Sequence, residues 1–167
     1  MKNAATKRDG DLKVDIAGDR EIVITRAFDA PRRLVFDAFT KPELVKRWLY
    51  GPPGWEMVVC EIDLRVGGAY RFVLRKGQET EMGWGGVYRE VIRPERFVAT
   101  ERFDEAWYPG ESVVVTAFVE KDGKTTLTQT LRYESREARD AVLKSGMESG
   151  LAAGYDRLAQ LLASPVS

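Results

Sequence analysis

The chain has 167 residues, with 26 lysines and arginines against 26 aspartates and glutamates, one cysteine and no histidine. That length suits one domain able to bury a real core or enclose a modest cavity, and the balanced charge gives no global field toward nucleic acid or an anionic membrane. A lone Cys60 excludes an internal disulfide and fits a reducing compartment, while the missing histidine removes histidine-activated nucleophiles and imidazole metal sites, so no metal or cofactor is expected.

Residues 1 to about 19 are polar, lack periodicity and hold no apolar core of a signal peptide; a flexible N-terminal arm is expected there. A domain over 20–163 and a short tail over 164–167 complete the expected organisation. No uninterrupted apolar run approaches the ~20 residues a spanning helix needs, which predicts a soluble, cytoplasmic protein without a membrane partner.

Glu21 to Phe28 alternates Ile22, Ile24 and Phe28 against Val23, Thr25 and Ala27, the pattern of a first strand. Ala30-Pro31 opens a short helix with Leu34, Val35, Ala38 and Phe39 on its buried face, and Pro42 opens a second, carrying Leu44, Val45, Trp48 and Leu49. Gly51-Pro52-Pro53-Gly54 ends it. Strands follow over Met57–Leu64, Ala69–Arg75, Trp84–Ile92, Arg96–Phe103, Ser112–Glu120 and Thr125–Tyr133. Asp122-Gly123 marks a tight primed hairpin turn between the last two. Ser135 caps a short helix over Arg136–Lys144, which breaks at Gly146.

The longest helical pattern comes last. Met147, Leu151, Tyr155, Leu158 and Leu162 recur at steps of four, four, three and four, one helical face, with Glu148, Asp156, Arg157 and Gln160 largely on the other. A lone helix of that length is marginal in water, so its stripe needs a partner, and the block of strands is the candidate of sufficient size. The expected architecture is α+β: a curved antiparallel sheet of about seven strands wrapped around the C-terminal helix, two short helices following the first strand. Gly150 and Gly154 would each cost ~1 kcal/mol against alanine inside a helix. Close approach of backbone to sheet is the favoured explanation; room left for another molecule is the alternative.

Four segments, in order, resemble a known family: 28–44 with Arg47-Trp48 and Gly51-Pro52, then 60–72, then 86–98, then Ala138-Arg139-Asp140 with Asp156-Arg157-Leu158. The family is the bacterial group similar to the C-terminal domain of the activator of Hsp90 ATPase, within the START-like (SRPBCC, helix-grip) superfamily. The resemblance covers roughly residues 20–163 and implies a sheet gripping the last helix, with a cavity between them that in relatives often takes small hydrophobic molecules. It also brings in a chaperone as a candidate partner. Monomer and homodimer both stay open.

Strand alternation then nominates the cavity wall. Tyr70, Phe72 and Leu74 share one face of their strand; Leu127, Gln129, Leu131 and Tyr133 share one face of theirs. Gln129 is a polar group in an apolar row, either hydrogen-bonded to core neighbours or a handle that orients a ligand. Phe97, Ala99, Glu101 and Phe103 would point a carboxylate inward. A bulge or a salt bridge that relieves this charge is the favoured reading of Glu101; a general base or a partner for a cation is the other. The expected ligand cavity is lined by Trp48, Tyr70, Phe72, Trp84, Glu101, Gln129, Leu131, Met147, Leu151 and Tyr155, with Glu101 and Gln129 the weak catalytic candidates. Trp107 and Tyr108, in the longest loop, either fold back on the sheet, close over a pocket mouth or mark a dimer contact. The leading expectation is a module that binds a small, mostly hydrophobic molecule as carrier, sensor or sequestering protein. The alternatives are an enzyme of the polyketide cyclase or hydrolase type and a co-chaperone-like ATPase activator.

Overall fold

A computed structural model describes residues 12–106, 108 and 110–163. Eight strands form one antiparallel sheet: β1 (Lys13–Ala17), β2 (Glu21–Phe28), β3 (Trp55–Ile62), β4 (Ala69–Lys76), β5 (Thr80–Ile92), β6 (Arg96–Phe103), β7 (Ser112–Lys121) and β8 (Lys124–Arg132). Between β2 and β3 lie α1 (Arg32–Thr40) and α2 (Pro42–Val45); α3 (Arg136–Lys144) and α4 (Met147–Ala163) close the chain. The order across the sheet is β1-β2-β8-β7-β6-β5-β4-β3, so the two short helices carry the chain from one side of the sheet to its far edge.

The eighth strand corrects the expected arm. Residues 13–17 pair with 21–25 along the full length of β1, and Leu12 is buried, whereas residues 1–11 and the tail over 164–167 lie outside the described residues. The alternation of Leu12, Val14 and Ile16 with Lys13 and Asp15 does mark β1, but the run is short and only Leu12 and Val14 reach the core, while Ile16 stays exposed at the sheet edge. Other boundaries shift modestly. β5 begins at Thr80 rather than Trp84, and on α1 Phe36 is buried where Leu34 was expected. Asp122 and Gly123 both adopt positive φ, as the primed hairpin turn requires.

Geometry explains why such a sheet cannot be filled by one helix. Seven inter-strand gaps of ~4.8 Å make a surface roughly 34 Å across, against a helix about 10–12 Å in diameter with its side chains. The core accordingly divides. One cluster packs Ile22, Ile24, Phe118 and Leu127 of the β2-β8-β7 half against Val35 and Phe36 of α1, Val142 of α3, and Tyr155 and Leu158 of α4. A second gathers Tyr70, Phe72, Leu74, Trp84 and Tyr88 of the β4-β5 half under Val45 of α2. Arg26, buried at the inward parity of β2, ties α4 down through Asp156 at 2.8 Å.

Burial along α4 follows this division. Tyr155 and Leu158 are fully buried, but Met147 and Leu151 are only half-buried. Gly146, with φ +82°, separates α3 from α4. The glycines of α4 depart from the favoured explanation. A Cβ on Gly150 would meet nothing within 4 Å, and one on Gly154 would reach the Trp48 carbonyl oxygen only at 3.7 Å, an ordinary contact. Neither position is a close backbone approach. Gly150→Ala is therefore expected to stabilise the protein by up to ~1 kcal/mol through helix propensity alone, read as a raised thermal midpoint; a lowered midpoint would mean that the position is filled in solution.

Candidate functional site

The two core clusters leave a hollow of about 730 Å³ between the sheet and the first turns of α4. Its floor comes from inward-facing rows of strands. β4 supplies Tyr70, Phe72 and Leu74, and β6 supplies Phe97, Ala99, Glu101 and Phe103. β8 supplies Gln129 and Leu131, with Tyr133 just beyond it. Met147, Gly150, Leu151, Gly154 and Tyr155 form the opposite wall, and Trp48 closes one end, its indole N–H donating to the Ala38 carbonyl at 2.9 Å.

Trp48, Tyr70, Phe72, Trp84, Glu101, Gln129, Leu131, Met147, Leu151 and Tyr155 thus all border one volume. Period-two alternation and one helical stripe carry that information, because both determine which side chains share a face. Several wall residues did not stand out in the sequence. Ile24 and Phe39 read as core positions and Tyr88 is not singled out, and Arg157 was assigned to the solvent side of its helix. Its guanidinium instead lies 4.0 Å from the centre of the Tyr50 ring and donates to the Trp48 carbonyl at 3.3 Å and to the Gly51 carbonyl. A long side chain can fold back over a helix edge in this way. Tyr108 is buried and packs edge-on against Tyr133 at 5.4 Å, so this ring folds onto the sheet; Trp107 lies outside the described residues.

Gln129 has partners on both sides. Its carbonyl oxygen accepts from the Tyr155 hydroxyl, and its amide nitrogen donates to Thr116 Oγ1 at 3.3 Å. The group is a bonded member of the core that also shows part of its surface to the hollow. Tyr70 is committed as well, its hydroxyl donating to the Thr100 carbonyl at 2.8 Å.

Glu101 is different, and here the favoured reading fails. It pairs in register with Ser112 of β7 with no bulge at its position, and among the described residues no salt bridge or side-chain hydrogen bond reaches its carboxylate. The ladder irregularity nearby belongs to β5. A Cβ on Gly86 would lie 1.9 Å from the Thr100 carbonyl oxygen, so only glycine lets these two backbones approach. Glu101 therefore keeps its inward parity. It is half-buried and borders the hollow, and burial pushes its carboxyl up from the usual 4.5 to about 7. Burial first, and the charge of Glu101 second, push up the phenols of Tyr70, Tyr108, Tyr133 and Tyr155, which stay protonated.

The walls suit a small organic molecule: mostly aromatic and aliphatic surface with a few placed polar groups. Among the described residues no group of three or more acidic, cysteine or histidine side chains could hold a metal, and no helix is long and apolar enough to cross a membrane.

Comparison with known proteins supports the same architecture. The family described as "Activator of Hsp90 ATPase homolog 1-like protein" matches residues 29–163. A crystal structure of a Rhodobacter sphaeroides protein is similar at 28% identity and a TM-score of 0.86, covering 92% of this chain and 98% of its own. Protein CV1439 from Chromobacterium violaceum has 28% identity and a TM-score of 0.75, over 87% of this chain and 99% of its own. Protein Ms6760 from Mycobacterium smegmatis has 26% identity and a TM-score of 0.78, over 94% and 98%. A search of curated proteins finds no match. The sheet closed around a C-terminal helix and the match over most of the chain lead to one conclusion: this protein belongs to the activator of Hsp90 ATPase homolog 1-like family, a START-like (SRPBCC) group with the helix-grip fold.

Proposed function

We propose that this protein binds a small, mostly hydrophobic molecule between its sheet and the N-terminal half of α4, as a carrier, sensor or sequestering protein. The observation that carries the reading is the hollow itself. About 730 Å³ bounded largely by aromatic and aliphatic side chains is the size and lining of a small-molecule pocket. It lies where Gly150 withholds a side chain from the helix. Affinity would come from apolar surface removed from water, and orientation from the few polar groups on the wall.

The reading is tested by calorimetric titration or native mass spectrometry against a panel of aromatic metabolites, with Leu151→Trp alongside. Leu151 is half-buried on the wall, so an indole there projects into open volume. The variant is expected to keep its thermal midpoint within a few degrees and to lose at least about tenfold in affinity for any ligand found. Unchanged affinity in a folded variant would place the ligand elsewhere.

A second reading, an enzyme of the cyclase or hydrolase type, is favoured by one observation: the Glu101 side chain borders the hollow, where burial pushes its carboxyl up toward the range useful to a general base. Against it, the Tyr70 and Tyr155 hydroxyls already donate to Thr100 and Gln129. That leaves Glu101 as the one uncommitted group of the four polar wall residues nominated by the sequence, and binding is the better-supported function.

A further inference from the structure

Resting on the reading that the hollow holds a ligand, we infer that this ligand carries a basic nitrogen, protonated when bound, which Glu101 receives. The argument begins with what surrounds the carboxylate. A charge inside an apolar interior is costly unless it is paired. Among the described residues neither a cation nor a hydrogen-bond donor meets the Glu101 carboxylate. Arg102, next in β6, falls on the other face of the sheet and is exposed. The guanidinium of Arg157 is spent on the Trp48 and Gly51 carbonyls.

Two donors bordering the same hollow are committed elsewhere. The Tyr70 hydroxyl goes to Thr100 and the Tyr155 hydroxyl to Gln129. Two ways of neutralising the carboxylate then remain: a proton, or a cation that arrives with the ligand. The surrounding rings suit the second. Tyr70, Phe72, Trp84 and Tyr133 border the same volume, and aromatic faces attract an ammonium group desolvated beside them. An inorganic cation would need several oxygen ligands, and no acidic cluster supplies them among the described residues. Carboxylate ligands such as fatty acids are disfavoured by like charge.

This assignment makes binding compete with protonation of Glu101. The charged and titratable groups facing it are Tyr70 of β4, Tyr108 of the β6–β7 connection, Tyr133 after β8 and Tyr155 of α4, with Glu111 acting on Tyr70 and Arg26 on Tyr155. The four phenols remain neutral, and the carboxyl is pushed up to about 7 by burial, so Glu101 is the group in this set that changes charge near neutrality. A protonated amine binds the carboxylate form, and its advantage fades as pH falls through about 7.

Calorimetric titration with naphthylmethylamine, naphthylmethanol and naphthoate, a matched cation, neutral and anion set, tests the inference. At about pH 8 the amine is expected to bind at least about tenfold more tightly than the alcohol, with naphthoate weakest. That ratio should shrink at about pH 5.5 and fall to about one in Glu101→Gln at either pH. An amine-to-alcohol ratio near one in the unaltered protein at about pH 8, or an equal ratio in protein and variant, overturns the inference while alcohol binding leaves the ligand-binding reading standing. Failure of all three probes to bind at millimolar concentration overturns both. Because the ratio is also read against pH in the unaltered protein, the test survives a variant that does not fold.

Discussion

Phe118→Ala is expected to cost about 3–5 kcal/mol of stability, the largest effect of any single truncation considered for this protein. Phe118 is 1% exposed on β7, and its ring meets Phe36 at 5.4 Å, Phe39 at 5.5 Å and Phe97 at 6.1 Å. Removing it empties a volume enclosed on every side by α1 and the sheet, so both the transfer term and the cavity term apply in full. Urea denaturation, with a shifted midpoint and an unchanged slope, is the measurement. Leu151→Ala serves as its contrast. That side chain already borders empty space and so gives up fewer dispersion contacts. Equal losses at the two positions would mean that the hollow is not open in solution.

Glu101→Gln is expected to stabilise the protein at about pH 8 by up to roughly 3 kcal/mol, and to change little below about pH 4.5. The sign follows from linkage. Burial raises the folded-state carboxyl from 4.5 to about 7, so between those values the folded protein holds a proton that the unfolded chain has released. Stability therefore declines as pH rises through this window, and the decline is complete above it. The amide has no charge to desolvate and removes the slope. Denaturant titrations of both proteins at several pH values between about 4.5 and 8 check it; parallel pH profiles would show that Glu101 is hydrated or paired in solution. Glu101 borders the hollow rather than being sealed on every side by protein, which makes the stated figure an upper bound.

Much of this architecture was legible because burial imposes strict periods. The inward rows of β4, β6 and β8 could be read at every second residue, and the stripe from Met147 to Leu162 at three and four. β1 carries the same period in Leu12, Val14 and Ile16, but over so short a run, with Ile16 exposed at the edge, it does not stand out from the polar residues before it. For Glu101 the alternation gave the correct direction, while the expectation that a bulge or an ion pair would relieve the charge came from an average cost that ignores local voids. A carboxylate facing a hollow avoids full desolvation without leaving its strand. Arg157 failed for the converse reason: helical spacing positions a Cα, but a flexible side chain reaches carbonyls across the edge. The glycines of α4 needed coordinates, because propensity reports that a side chain is missing and not what stands opposite it.

The division of the interior has a consequence for how such a chain can change over generations. Phe118, Leu127, Tyr155 and Leu158 secure the scaffold from one side, whereas Leu151 and Gly150 border open volume and support little of it. Mutational drift along that wall can therefore alter what fits inside without threatening survival of the fold. A lineage built on this plan can reshape its hollow many times while inheriting the same scaffold.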